Sequence, residues 1–111
     1  MSRYSPPQTL VEVEQTANKG GGACWSIEGL RSVAEVAHAH GMTLVVDNTF
    51  SPMLLTPLRH GADVVIHSLT KYVNGTSDCV AGAVIGRAAF IARLNDLNTG
   101  PSMLLGPVLD P

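Results

Sequence analysis

One lysine of the chain, Lys71, stands in an unusual place. It follows a run of aliphatic residues at positions 64–66, and two hydroxyl side chains, Ser68 and Thr70, come just before it. A lysine that is partly withdrawn from water can act as a nucleophile toward a carbonyl carbon. Hydroxyls and backbone N–H groups in a turn can hold a phosphate. The stretch therefore predicts a site for a compound that carries both an aldehyde and a phosphate.

A carboxylate can complete this site. Asp47 ends the apolar run "TLVV" at residues 43–46, and Asn48 and Thr49 follow it. If the strand that ends at Asp47 neighbours the strand that leads to Lys71, the carboxylate and the amine face one crevice. An aldehyde, a phosphate and a ring nitrogen that needs a carboxylate together describe pyridoxal phosphate (PLP). The residue types therefore predict PLP as the cofactor.

The elements that must position these residues alternate between strands and helices. A helix is predicted over residues 27–40, because its apolar residues recur at spacings of three and four, Ser26 can cap its start and Gly41 can end it. Wholly apolar strands indicate a parallel sheet covered by helices, and hence an open α/β domain. The other predicted elements are strands at residues 9–15, 43–46, 62–68 and 79–86, a turn or short broken helix at residues 51–61, and a helix at residues 87–97.

A longer stretch matches a pattern known from one enzyme family. Residues 45–86, "VVDNTFSPMLLTPLRHGADVVIHSLTKYVNGTSDCVAGAVIG", contain the paired motif D-N-T and H-S-x-T-K-Y-x-x-G. This stretch resembles the PLP-binding segment of the Cys/Met metabolism enzymes, the trans-sulfuration family, and the resemblance extends over residues 27–108. It implies an α/β fold that is part of the mixed, mainly parallel sheet of a type I PLP-dependent (aspartate aminotransferase-like) large domain.

The resemblance implies a role for each candidate residue. Lys71 is the catalytic lysine that forms the Schiff base with PLP and afterwards moves protons on the substrate. Asp47 pairs with the protonated ring nitrogen, and Ser68 and Thr70 hold the phosphate. Asn18, within "EQTANKG", stands where family members carry E-x-x-A-N-P, whose asparagine lies near the phenolic oxygen of the cofactor.

The activity that the resemblance implies is cleavage or formation of a C–S bond in a sulfur amino acid, as in methionine γ-lyase, cystathionine γ-lyase and cystathionine γ-synthase. It also implies a homotetramer. Family members are several times longer, so residues 1–111 are expected to be a partial large domain without the N-terminal arm and the C-terminal domain, with little or no turnover alone. The alternative is a non-catalytic, truncated remnant that at most binds PLP or oligomerises.

Each candidate residue also has a plainer interpretation. Lys71 could be an ordinary surface lysine, and Asp47 could cap a helix. Ser68 and Thr70 could be simple turn residues, and so could Asn18. The paired motif favours the cofactor roles of Lys71 and Asp47, whereas both interpretations of Asn18 stay open.

Composition argues against several classes of partner. The chain has 111 residues, a formal net charge of −2 and no cluster of lysine or arginine, so neither nucleic acid nor an anionic membrane is expected to bind. No apolar run approaches the ~20 residues that span a bilayer. Two cysteines and the lack of a signal-peptide pattern predict the cytoplasm. The histidines and cysteines lack the close spacing of zinc ligands, so no metal site is predicted.

Overall fold

The chain forms a four-stranded sheet with helices packed against it. A computed structural model describes the backbone of residues 7–99 and the side chains of residues 7–97. The sequence also predicts an extended arm at residues 1–9 and a tail at residues 98–111 that completes no further element, and both lie mostly outside the described residues. The elements are strands β1 (Leu10–Glu14), β2 (Thr43–Asp47), β3 (Val64–Ser68) and β4 (Gly82–Gly86), helices α1 (Ile27–Ala39) and α2 (Ala88–Thr99), a 3-10 turn (Pro57–His60) and an interrupted helical turn (Leu69–Val73).

The sheet arranges its strands in chain order, β1, β2, β3 and β4. The first three strands are parallel neighbours, whereas β4 runs antiparallel to β3. Parallel neighbours need a crossover connection, and α1 supplies the one between β1 and β2. The predicted mixed, mainly parallel α/β sheet is confirmed. The carboxyl ends of three parallel strands consequently lie along one edge of the sheet.

Helix α1 covers one face of the sheet and starts where the sequence predicts. The Ser26 hydroxyl accepts a hydrogen bond of 3.0 Å from the Gly29 N–H, which satisfies one of the N–H groups that a helix start leaves unpaired. Leu30, Ala34 and Ala37 recur at spacings of four and three and are buried. The two alanines keep the helix close to the strands, so α1 holds β1 and β2 in place.

The hydrophobic core lies between α1 and this face of the sheet. Side chains alternate along a strand, so Leu44 and Val46 of β2 point into the core, where both have no exposed surface. Val65 of β3 packs beside them. Val45 and Val64 point to the opposite face and are also buried. Strand β2 is thus covered on both faces, as its wholly apolar sequence predicts.

Strand β4 begins later than the sequence predicts. The strand expected at residues 79–86 starts at Gly82, so the predicted start is wrong. Pairing with β3 stops where Gly82 faces Ser68, because β3 ends there. The carbonyl of Ala81 instead accepts a hydrogen bond of 2.9 Å from the Leu69 N–H. The residue before β4 therefore fastens the turn that follows β3.

The connection between β2 and β3 contains a single 3-10 turn, in line with the predicted short broken helix. Pro57 begins this turn, and Gly61 ends it with a φ of +101°, a left-handed conformation that favours glycine. A Cβ atom on Gly61 would lie 2.5 Å from the Cβ of Ala34. The glycine therefore lets the connection approach α1 closely and return beside β2.

Candidate functional site

The carboxyl ends of β2 and β3 lie side by side. Asp47 of β2 is paired with Ile66 of β3, two residues before Ser68. Paired residues share a face and side chains alternate along each strand, so Asp47, Ile66 and Ser68 all point away from α1. The carboxylate of one strand and the hydroxyl of the next therefore face the same space at this edge of the sheet.

The Asp47 carboxylate is bonded to the turn that follows it. Its Oδ1 accepts a hydrogen bond of 2.9 Å from the Thr49 N–H, a local bond typical of aspartate in turns. Within the described residues, no other hydrogen bond or ion pair reaches this half-buried carboxylate. One of its two oxygens is therefore available to a hydrogen-bond donor on a ligand.

The Lys71 amine lies next to the Ser68 hydroxyl. Nζ of Lys71 donates a hydrogen bond of 3.3 Å to Oγ of Ser68. Lys71 interrupts the helical turn Leu69–Val73 with a φ of −95° and a ψ of −118°, and its side chain is exposed. The structure thus brings together two of the predicted site residues, beside the strand that ends in the third, Asp47.

The Thr70 hydroxyl is bonded to the backbone of Ala81. Oγ1 of Thr70 accepts a hydrogen bond of 3.0 Å from the Ala81 N–H and donates one of 3.4 Å to the Ala81 carbonyl. The first bond has a usual length and the second is long. Thr70 is therefore hydrogen-bonded to the residue that precedes β4, a contact that no sequence pattern predicts.

Asn18 lies in the loop that follows β1. An isolated antiparallel β-bridge between Ala17 and Ala23 closes this loop. The Asn18 N–H donates a hydrogen bond of 3.1 Å to Oε2 of Glu14, and its side chain is exposed. Glu14 is paired with Asp47 across the sheet, so the loop begins at the same edge. No described hydrogen bond joins Asn18 to Ser68 or Lys71.

Two polar residues outside the predicted set follow β2 and form hydrogen bonds through their side chains. Oγ1 of Thr49 accepts a hydrogen bond of 2.8 Å from the Ser68 N–H and so links β2 to β3. Asn48 is 1% exposed, and its Nδ2 donates to the carbonyls of Ser51 and Leu55 at 3.2 and 3.0 Å. The D-N-T run signals polar residues at this strand end, but no sequence pattern tells which backbone group each of them binds.

The loop after Lys71 is held by one carboxylate. Oδ1 of Asp78 accepts hydrogen bonds of 2.6 Å from Nδ2 of Asn74 and 2.7 Å from Oγ1 of Thr76. These side-chain bonds, that of Asn74 first, lower the pKa of the Asp78 carboxyl below its usual value. The residues after the lysine therefore form a hydrogen-bonded loop of their own.

The described part of the chain has neither a cluster of metal-ligand side chains nor a membrane-spanning helix. No group of three or more histidine, cysteine, aspartate or glutamate side chains in it is arranged to hold a metal ion. None of its helices has both the length and the apolar character needed to cross a membrane. The polar groups at the ends of β2 and β3 are thus the candidate site.

The chain matches a known protein family along nearly its whole length. The family model described as Cys/Met metabolism PLP-dependent enzyme matches residues 6–111, which include Asp47 and Lys71. The chain belongs to this family. The resemblance predicted from residues 27–108 is therefore confirmed, and the family match extends to both sides of that range.

Curated and solved family members share a substantial part of this sequence. A methionine gamma-lyase of Arabidopsis thaliana is 44% identical over 85 residues, which are 77% of this chain and 19% of the relative. A cystathionine gamma-lyase of Dictyostelium discoideum is 54% identical over 73% of this chain and 20% of the relative. The crystal structure of a methionine gamma lyase from Micromonospora echinospora has a TM-score of 0.74 and 35% identity, over 86% of this chain and 26% of that structure.

The chain spans about a fifth to a quarter of the length of these family members. A cystathionine gamma synthase of Xanthomonas oryzae also matches, with a TM-score of 0.66 and 46% identity over 77% of this chain and 21% of that structure. The similarity to these two solved enzymes confirms the predicted fold class. The cofactor of the family is PLP.

Proposed function

We propose that this chain is the PLP-binding segment of a trans-sulfuration enzyme, a carbon–sulfur lyase of the methionine γ-lyase or cystathionine γ-lyase kind that acts on sulfur amino acids. The observation that carries the proposal is the Lys71 amine, 3.3 Å from the Ser68 hydroxyl, at the end of the strand next to Asp47. The relatives that carry gamma-lyase names support the lyase reaction.

The groups at the strand ends fit PLP. When bound, PLP supplies an aldehyde that combines with an amine and a ring that withdraws electrons from the attached amino acid. The Lys71 amine is the group that would hold the aldehyde carbon. The Asp47 oxygen that has no described partner would accept the ring N–H, and its negative charge would favour the protonated ring nitrogen.

Two hydroxyls hold the phosphate in this proposal. Oγ of Ser68 accepts from the Lys71 amine, so its own proton can be donated to an anion. Thr70 accepts from the Ala81 N–H, which orients its oxygen, while its proton forms only the long 3.4 Å bond. That proton can turn to a phosphate oxygen without loss of the bond from Ala81.

Lys71 and Asn18 have further proposed roles. With PLP and a substrate in the site, the free Lys71 amine would take and return protons at the α and β carbons of the substrate. Asn18 is proposed to lie near the phenolic oxygen of the cofactor. Its exposed side chain has no hydrogen-bond partner among the described residues, which leaves its amide available.

A second candidate function is PLP binding without turnover, as in a truncated remnant. The exposure of Lys71 favours it, because active sites exclude water from the reacting groups.

Two kinds of partner are proposed for this chain. They are a sulfur amino acid as the substrate and copies of the same chain in a homotetramer. The cytoplasmic location stays a prediction.

The lysine content of the chain allows a direct test of PLP attachment. The chain has two lysines, Lys19 and Lys71, and Lys19 lies exposed in the loop after β1. We expect wild-type protein to develop a yellow absorbance band with PLP, and borohydride reduction to fix the cofactor mass on the peptide that contains Lys71. Lys71→Ala and Lys71→Arg should both abolish the fixed adduct, whereas Lys19→Ala should leave it unchanged.

The outcomes separate the two candidate functions. Equal labelling of Lys19 and Lys71 would mean simple amine reactivity and would overturn the PLP site. Labelling of Lys71, together with release of a thiol or a keto acid from methionine or cystathionine, supports the lyase. Labelling of Lys71 without any product supports the binding remnant, and the lyase proposal is then wrong for this chain.

A further inference from the structure

Thr49 occupies a central position at the strand ends. It follows β2 and is 3% exposed. Its N–H donates 2.9 Å to Oδ1 of Asp47, and its Oγ1 accepts 2.8 Å from the Ser68 N–H. One residue therefore makes hydrogen bonds both to the carboxylate of β2 and to the backbone at the end of β3.

The side-chain bond of Thr49 stands where regular strand pairing has stopped. The register of β2 with β3 ends with Asp47 opposite Ile66, and the Asn48 N–H adds one bond of 2.9 Å to the Ile66 carbonyl. No strand residue of β2 remains to accept from the Ser68 N–H. The Thr49 hydroxyl replaces the missing carbonyl and extends the connection between the two strands by one link.

The residue that Thr49 holds is also the one next to the lysine. Oγ of Ser68 accepts a hydrogen bond of 3.3 Å from the Lys71 amine. A chain of contacts thus runs from the Asp47 carboxylate through Thr49 and the Ser68 backbone to the amine. PLP is a rigid ring with a nitrogen at one side and an aldehyde and a phosphate at others. It can bind only if the groups that contact these sites keep a constant spacing.

We infer that Thr49 is a positioning residue, which sets the spacing between the Asp47 carboxylate and the Ser68–Lys71 part of the site through its hydrogen bond to the Ser68 N–H. This inference rests on the proposed function. Displacement of a site group by ~1 Å can cost about a hundredfold in activity, so a single bond that sets a spacing has a large effect.

A neighbouring hydroxyl provides the matched control. Oγ of Ser51 donates a hydrogen bond of 2.6 Å to Oδ1 of Asn48, and Ser51 is 7% exposed. It is buried like Thr49, lies two residues away, and bonds only within the loop that follows β2. Loss of the Ser51 hydroxyl should therefore lower stability without changing the spacing between Asp47 and Ser68.

The test compares Thr49→Val, Thr49→Ser and Ser51→Ala with the wild-type chain. Hydrogen exchange of the Ser68 N–H, followed by NMR without PLP, reports on the bond itself. PLP titration followed by the yellow absorbance band gives the Kd, and borohydride trapping gives the fraction of Lys71 labelled. We expect Thr49→Val to exchange the Ser68 N–H faster and to bind PLP roughly tenfold more weakly. Thr49→Ser should restore both, and Ser51→Ala should change neither.

Several outcomes would overturn the inference. It is wrong if Thr49→Val exchanges the Ser68 N–H faster but binds PLP like the wild type, or if Thr49→Ser binds as weakly as Thr49→Val. It is also wrong if Ser51→Ala weakens PLP binding as much, because the effect would then follow stability. Should Thr49→Val fail to fold, Thr49→Ala gives the same comparison. A wild-type chain that labels Lys71 no more than Lys19 instead overturns the proposed function, whatever the exchange of Ser68.

Discussion

An aspartate lies at each end of the parallel strands: Asp63 at their amino ends, called the amino-end edge, and Asp47 at their carboxyl ends, called the carboxyl-end edge. The two carboxylates have different hydrogen-bond partners. At the amino ends of the parallel strands, Oδ2 of Asp63 accepts from the Leu44 N–H and from Nε2 of His38, both at 2.9 Å. At the carboxyl ends, the Asp47 carboxylate accepts only from the Thr49 N–H, within the described residues. The first carboxylate joins β3 to β2 and α1, whereas the second keeps an oxygen for a ligand.

The surroundings of Asp63 also stabilise its charged form. Burial by itself raises the pKa of the Asp63 carboxyl, but the hydrogen bonds from Leu44 and His38 and the positive charges of His38 and Arg87 outweigh it. The pKa therefore lies below the ordinary value of 3.8. A carboxylate whose charged form the folded protein stabilises contributes to the stability of the fold. We conclude that the Asp63 carboxylate stabilises the fold, whereas the Asp47 carboxylate keeps one oxygen without a described partner.

The largest effect on stability is expected near the amino-end edge, from Gly61→Ala. The new Cβ would lie 2.5 Å from that of Ala34, a buried residue of α1, and the φ of +101° is unfavourable for alanine. We expect a loss of about 3 kcal/mol in the free energy of unfolding, measured by urea denaturation. Gly41→Ala is the matched control, because Gly41 has a φ of +67° and open space around it.

Gly41→Ala should cost only about 1 kcal/mol, the penalty of the left-handed conformation alone. Equal losses in the two variants would mean that α1 yields to the new methyl group. The folded fraction of Gly61→Ala should still label Lys71 with PLP, because the change is at the other edge of the sheet. Loss of labelling in correctly folded protein would contradict the division between the edges.

Separate replacement of Asp63 and Asp47 by alanine tests the comparison between the two carboxylates most directly. Asp63→Ala leaves the Leu44 N–H without its acceptor and removes the partner of His38, so we expect a loss of about 1–3 kcal/mol in the free energy of unfolding. Asp47→Ala removes a single local bond and should cost about 1 kcal/mol or less, but it should weaken PLP binding far more than Asp63→Ala does.

Urea denaturation and PLP titration of both variants give the two measurements. The expected ranking of the variants is opposite in the two experiments. If one variant ranks as the worse in both, then stability and cofactor binding are not divided between the edges as we infer.

The smallest effect is a change in pH dependence. The pKa of Asp63 is lower in the folded chain than in the unfolded chain, so its contribution to stability is complete above about 3.8 and is lost as the pH falls through the folded value. As the pH is lowered from neutral to acid, we expect the free energy of unfolding of Asp63→Asn to fall less than that of the wild type. The measurement is the free energy of unfolding at several pH values.

Asp78 has to be removed from this comparison, since hydrogen bonds, that from Asn74 first, also lower its pKa. The pH series is therefore run in an Asp78→Asn background, with and without Asp63→Asn. Parallel curves for the two proteins would show that Asp63 does not contribute to the pH dependence.

Much of the fold could be predicted because its signals are local. The spacing of Leu30, Ala34 and Ala37 predicts one face of a helix, and Ser26 predicts its start. The wholly apolar β2 predicts a strand that is buried on both faces. The start of β4 could not be predicted in this way, because it depends on where β3 ends and on the bonds of Ala81 to the turn.

The sequence by itself determined the family, the cofactor that it implies and the two groups, Asp47 and Lys71, on which the proposal depends, because residue types and spacings carry that information. Only the tertiary structure decided which polar groups are bonded within the protein. The bonds of Thr70 to Ala81 and of Thr49 to Ser68 join residues 11 and 19 positions apart. Such contacts depend on strand register, and a shift of one residue would turn every side chain of a strand to the other face.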